Sequence, residues 1–174
     1  MSLIKKKVCI IGNYGVGKTS LIKRFVQGIF SEKYLATVGV KIDQKAVRVG
    51  SKEVFLILWD IAGGIDESRQ VPSYLQGLSA YIVVGDGTRA ETCRLAPDLA
   101  HYVEDKVGEQ PHILLLNKSD LGGQWALHPE EELKLASLAG MMLKTSAKTG
   151  DAVERAFQSI AEAMLGGAVH GSNS

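Results

Sequence analysis

A strand that runs directly into Gly12-Asn13-Tyr14-Gly15-Val16-Gly17-Lys18-Thr19 leaves few folds open to this chain. Residues 7–11 are almost continuously apolar, as expected of a parallel strand covered on both faces. A helix is predicted from Lys18, with Leu21, Ile22, Phe25 and Val26 along one side. A Gly-x4-Gly-Lys-Thr spacing between those two elements fits a loop that wraps phosphate. Its glycines let the backbone bend tightly and aim successive N–H groups at phosphate oxygens, and the helix N-terminus adds a favourable dipole. In that geometry Lys18 reaches the β- and γ-phosphates and the Thr19 hydroxyl ligates Mg²⁺. The candidate phosphate-binding set is therefore Asn13, Tyr14, Gly15, Val16, Gly17, Lys18, Thr19 and Ser20. The loop indicates a nucleoside triphosphate and leaves the base open.

The rest of the chain alternates strand and helix. Residues 41–49 and 53–59 flank Val49-Gly50-Ser51-Lys52, a hairpin turn. Residues 81–84 and 112–116 are two more buried strands, and 141–144 is a short last one. Residues 90–107 have helical spacing through Leu95, Leu99 and Val103. Pro129, followed by three glutamates, opens the next helix and Gly140 stops it. Asp151-x-x-Glu154 reads as a capping box before a final helix carrying Val153, Phe157, Ile160 and Met164 on one face. One hairpin followed by strand–helix units gives a mostly parallel sheet with helices on both faces, and ligands bind beyond the carboxyl ends of its strands.

At 174 residues, 45% apolar and 22% charged, the chain can build a core without disulfides or metal. A net charge of +1 points to neither nucleic acid nor an acidic membrane as a main partner. Lys5, Lys6 and Lys7 read as the solvated start of a strand, Cys9 as a buried thiol, and the four histidines as without a metal role. No apolar run approaches the roughly 18 residues of a membrane helix. Residues 166–174 contain no cysteine for a lipid anchor, so the expected place is the cytoplasm, with membrane contact only through partners or a tail absent from this sequence.

The base is read by two further motifs at strand ends, Asn117-Lys118-Ser119-Asp120 and Thr145-Ser146-Ala147-Lys148. Guanine offers N1–H and its 2-amino group side by side, and the ionised carboxylate of Asp120 accepts both. Adenine presents a lone pair at N1 and is rejected. The Lys118 stem covers the base, and the Ala147 N–H donates to the guanine O6. Asp120 argues against an ATP-dependent kinase or ATPase.

With these motifs in order over residues 5–165, the chain resembles a small GTPase of the Ras superfamily, most similar to its Rab branch in Leu58-Trp59-Asp60, Thr37-Val38-Gly39-Val40 and Ser146-Ala147-Lys148-Thr149-Gly150. The resemblance implies an α/β fold of the P-loop small GTPase type: a six-stranded, mostly parallel sheet with one antiparallel strand and five helices on both faces. Residues 1–165 would form the G domain and 166–174 a flexible tail. It implies GTP or GDP bound with Mg²⁺, and GTP hydrolysis. Phe30 would pack on the base, and Thr37 would ligate Mg²⁺ and sense the γ-phosphate. Asp60 would hold the metal through water, and the Gly63 N–H would touch the γ-phosphate. Lys18, Thr37, Gly63 and the position of Gly64 make up the catalytic set. Switch I (30–39) and switch II (62–76) would meet effectors, with an exchange factor and a GTPase-activating protein as further partners. Trp59 and Tyr74 match effector-contacting positions, with a core role equally open.

The sequence departs from that pattern where hydrolysis is concerned. Gly64 stands where the family keeps a glutamine that orients the attacking water. Tyr14 is bulky at a loop position that is small in relatives, and Ile65 and Asp66 replace the usual glutamate and arginine. The expectation is a switch that hydrolyses GTP slowly without a partner; the alternative is a non-hydrolysing GTP-binding adaptor or scaffold. Asp66, Glu67 and Gln70 are candidates to position water and Arg69 to serve as an internal finger; the alternative reading is that all four are solvated surface residues.

Overall fold

The computed structural model describes residues 3–33, 37, 39–63 and 71–166. Its elements follow the order β1 (Ile4–Gly12), α1 (Lys18–Gln27), β2 (Val40–Val49), β3 (Lys52–Ile61), α2 (Val71–Leu75), β4 (Ala80–Asp86), α3 (Ala90–Arg94), α4 (Ala96–Val107), β5 (His112–Asn117), α5 (Pro129–Ala139), β6 (Met142–Lys144) and α6 (Val153–Met164). The six strands form one sheet in the order β2-β3-β1-β4-β5-β6. Every neighbouring pair is parallel except β2 with β3, which runs antiparallel from Val40↔Ile61 to Val49↔Lys52.

That exception positions the site. Because β2 runs backwards, its start lies beside the end of β3. Thr37 and Gly63 therefore arrive at the same edge as the carboxyl ends of β1, β4, β5 and β6, where ligands of such sheets bind.

Alternation along the central strands divides the core between the two faces. Val8, Ile10, Leu56, Leu58, Ile82 and Ile113 pack under α1 and α6 with Phe25, Phe157 and Ile160. Cys9, Ile11, Tyr81, Val83, Leu114 and Leu116 face the other way, against Val71, Leu75, Val103 and Leu135 of α2, α4 and α5. β4 is buried along its whole length, which explains why its sequence shows no alternation. Cys9 and Cys93 are buried, free thiols. Among the described residues no helix is long and apolar enough to cross a membrane.

Three local readings need correction. The helix expected over 90–107 is broken into α3 and α4 at Leu95. Pro97 has no N–H, so the i→i−4 bond to the Cys93 carbonyl cannot form and a new helix starts with the proline in its first turn. Counted as one interrupted column, the α-helices among the described residues number five. The Asp151–Glu154 capping box does not form: Ala152 is the N-cap, in a left-handed conformation with no side-chain cap bond. The Asp151 N–H instead donates to Thr149 Oγ1 at 3.2 Å, and Glu154 pairs with Lys45 at 2.9 Å. Lys7 is not merely solvated; its ammonium lies 3.6 Å over the Trp59 ring and donates to Gln76 O at 2.8 Å.

The Phe25 and Phe157 rings stack at 4.0 Å, nearly parallel, and clamp α1 to α6. Phe157→Ala leaves a cavity that the sheet cannot close. We expect it to lower unfolding free energy by about 3–5 kcal/mol in urea titration. A loss below about 1 kcal/mol would show that the face repacks.

Candidate functional site

The glycine-rich loop joins β1 to α1 and is held by its neighbours through its backbone. A Cβ at Gly17 would sit 2.3 Å from Asn117 Nδ2, and φ there is +101°, so only glycine fits. The Asn117 amide is 2% exposed and donates to Val16 O at 3.0 Å. Lys118 Nζ donates to Gly15 O at 3.1 Å, and Arg89 Nη2 to Tyr14 O at 2.9 Å. The head of Lys18, 6% exposed, folds across the loop to Gly12 O (2.9 Å) and Asn13 O (3.1 Å). Burial pushes the Lys18 ammonium down to about 8, only partly opposed by the Asp60 carboxylate.

At the other end, Asp120 is positioned by Ser146, whose hydroxyl donates to Oδ1 at 2.7 Å. Its Oδ2 has no partner among the described residues. Lys118 adopts φ +70°, unusual for a side-chain-bearing residue. The bend lets its ammonium reach both the loop and Asp86 Oδ2, at 2.8 Å. Asp86 is 1% exposed and also takes Arg89 Nε at 3.2 Å and both Thr88 donors on Oδ1. Burial raises its pKa, but Lys118 and the Thr88 donors outweigh this, and the carboxyl is held below its ordinary value. Arg24 supports the Ser146-Ala147-Lys148 turn from α1, donating to Ala147 O at 2.8 Å and to Lys148 O.

Between these ends three oxygen-bearing side chains converge. Thr19 Oγ1 donates to Asp60 Oδ2 at 2.5 Å and lies 2.8 Å from Thr37 Oγ1, which is 3.4 Å from the same carboxylate oxygen. Asp60 is 1% exposed and its Oδ1 has no hydrogen-bond partner. Burial raises the Asp60 pKa against the opposing pull of Thr19 and Lys18. Two hydroxyls and a carboxylate with an unsatisfied buried oxygen are the donor chemistry of a hard divalent cation, so the residues fit Mg²⁺. The flanking segments are tied to each other by Ala62 N–H on Gly39 O at 2.9 Å.

One cavity of about 390 Å³ joins both ends. Of the residues expected from sequence, it is lined by Tyr14, Gly15, Gly17, Lys18, Thr19, Ser20, Phe30, Thr37, Gly63, Asn117, Lys118, Asp120, Ala147 and Lys148. Asn13, Val16 and Ser146 stand behind the wall. Asn13 offers its carbonyl to Lys18, the Val16 side chain is buried in the core, and Ser146 orients Asp120. Asp60, 1% exposed, is also set back from the lining. The Ala147 N–H donates to Asn117 Oδ1 at 3.3 Å, so it is not the free donor the sequence suggests. Gly64, Ile65, Asp66, Glu67, Arg69 and Gln70 lie outside the described residues, as do the tail from 167 onward and part of each switch. Sequence reasoning missed Asp86, Arg89 and Arg24, which meet the site through ion pairs and backbone carbonyls and carry no motif of their own. It also missed Lys23 and Leu121 in the lining, while Ser31, Glu32, Lys33 and Ala62 enter it from the expected switch segments.

Sheet order, loop and cavity together define a P-loop small GTPase fold. A family model described as the Ras family matches residues 7–166, and the chain belongs to that family. It is thus a guanine-nucleotide-binding switch GTPase, of a class whose partners are effectors, exchange factors and GTPase-activating proteins.

Lys18 gives the site a pH signature. Its folded pKa near 8 lies below the ordinary 10.5, so between those values the unfolded chain binds more protons and stability rises with pH. We expect wild type, stripped of nucleotide, to gain about 2–3 kcal/mol relative to Lys18→Met between about pH 8 and 10.5. Denaturant titrations across that range that keep a constant difference would contradict the assigned burial of the charge.

Proposed function

We propose that this chain is a Mg²⁺-dependent GTP/GDP switch whose intrinsic hydrolysis is slow, with affinities to the Rab branch in its Leu58-Trp59-Asp60 segment. The observation that carries the reading is a single cavity with Asp120 at one end and Lys18 and Thr19 at the other. Asp120 reads guanine with its paired acceptors, and Lys118 and Phe30 cover the base. The loop from Asn13 to Ser20 carries the phosphates. Thr19, Thr37 and Asp60 hold Mg²⁺, which when bound neutralises charge on the β- and γ-phosphates. Thr37 and Gly63 sense the γ-phosphate from the two switch segments.

Slow hydrolysis follows from what is missing. Gly64 has no side chain with which to orient water, and Tyr14, 58% exposed at the cavity mouth, crowds the path by which a partner's arginine would enter. The same two residues support the second reading, a GTP-loaded module that does not turn over.

Base reading is tested by Asp120→Ala. We expect GTP affinity to fall about a hundredfold or more, since two charge-assisted hydrogen bonds are lost, while weak ATP binding changes little. Equal binding of GTP and ATP by wild type would sink the guanine assignment. For hydrolysis, single-turnover rates are compared in wild type and Gly64→Gln. An increase of about 10- to 100-fold in the variant is expected from an oriented water. Equal rates would show that Gly64 is not limiting, and GTP retained on purified wild type without turnover would favour the module.

A further inference from the structure

The phosphate loop is gripped from behind, and the grip at its tip comes from a residue outside any recognised motif. A trans peptide is planar, so a carbonyl and the following N–H point in opposite directions. The described residues contain no cis peptide bond. Whatever holds the Tyr14 carbonyl outward therefore turns the Gly15 N–H the other way. Arg89 Nη2 holds that carbonyl at 2.9 Å. Gly15 lines the cavity and Arg89 does not. The Gly15 N–H has no acceptor among the described residues, so it is a donor kept for something inside.

Arg89 is itself fixed. Its Nε sits 3.2 Å from Asp86 Oδ2, the oxygen that also receives Lys118 at 2.8 Å. Two cations sharing one buried carboxylate leave net positive charge behind the loop, which favours an anion in front of it. Lys18 Nζ, the group that meets the β- and γ-phosphates in such loops, lies against the Gly12 and Asn13 carbonyls at the same end.

We propose that Arg89 is a positioning residue for the phosphate loop: anchored on Asp86, it holds the Tyr14 carbonyl outward and presents the Gly15 N–H to the phosphates beyond the first. The inference rests on the guanine-nucleotide reading above and deepens it. It makes Arg89 a determinant of how much the second phosphate contributes to affinity, without touching nucleotide. Asp86 then links base and phosphate recognition, since it fixes Lys118 over one and Arg89 behind the other.

The test is competition of GDP and of GMP against a fluorescent GDP analogue, in wild type, Arg89→Ala and Arg89→Lys, with thermal melting as the check on folding. In Arg89→Ala we expect GDP affinity to fall about tenfold and GMP affinity less than about twofold, so that the ratio collapses. A lysine keeps the charge but lacks the two spaced donors with which the guanidinium holds Asp86 and the Tyr14 carbonyl, so Arg89→Lys should lie between, and it carries the comparison if the alanine variant does not fold. GDP and GMP affinities that fall together would mark Arg89 as merely structural and overturn the proposal, as would no change in either. Wild type that holds GDP while the ratio is unaffected overturns this inference alone. Wild type that fails to hold GDP overturns the nucleotide reading and this inference with it.

Discussion

The buried amide of Asn117 is the joint on which the site is built. Its Nδ2 donates to the Val16 carbonyl in the loop after β1, and its Oδ1 accepts from the Thr145 hydroxyl and the Ala147 N–H in the segment after β6. Three chain segments far apart in sequence are thus held at fixed separation by one planar group that cannot swing without breaking bonds to all of them. An aspartate there would lose the donor to Val16, and a leucine would leave buried carbonyl, hydroxyl and N–H groups unpaired. The distance between the two ends of the cavity is set here, in the protein's interior.

Around that joint, charge is buried on purpose and paired with care. Lys18, Asp60 and Asp86 are all nearly inaccessible, and burying three ions is expensive unless each finds a partner. Asp86 is fully satisfied by Lys118, Arg89 and Thr88. Lys18 has only backbone carbonyls and a nearby Asp60, and Asp60 keeps an unsatisfied oxygen. The satisfied ion supports the walls; the two under-satisfied ones face the place where phosphate and metal chemistry would complete them.

Much of this was legible in sequence for identifiable reasons. The loop, Asp120 and the Ser-Ala-Lys turn are read because phosphate and guanine each demand particular groups at particular spacings, and the strands β4 and β5 because burial on both faces leaves continuous apolar runs. What sequence could not show were interactions of position rather than of type. Arg89 is one arginine among many until β4 brings it to the Tyr14 carbonyl. Gly87 looks dispensable until the Trp125 ring is found 2.0 Å from where its Cβ would be. The capping box failed because Thr149 Oγ1 takes the Asp151 N–H and Lys45 takes the Glu154 carboxylate, and the split of α3 from α4 turned on Pro97, which the apolar spacing outweighed.

The hydrogen bond from Ala62 to Gly39 joins the ends of two antiparallel strands just where each leaves the sheet for the cavity. Thr37 lies two residues before one end of that bond, and Gly63 one residue after the other. Among the described residues the two segments are thus tied by a backbone hydrogen bond beside the cavity, so a displacement that breaks it loosens both at once.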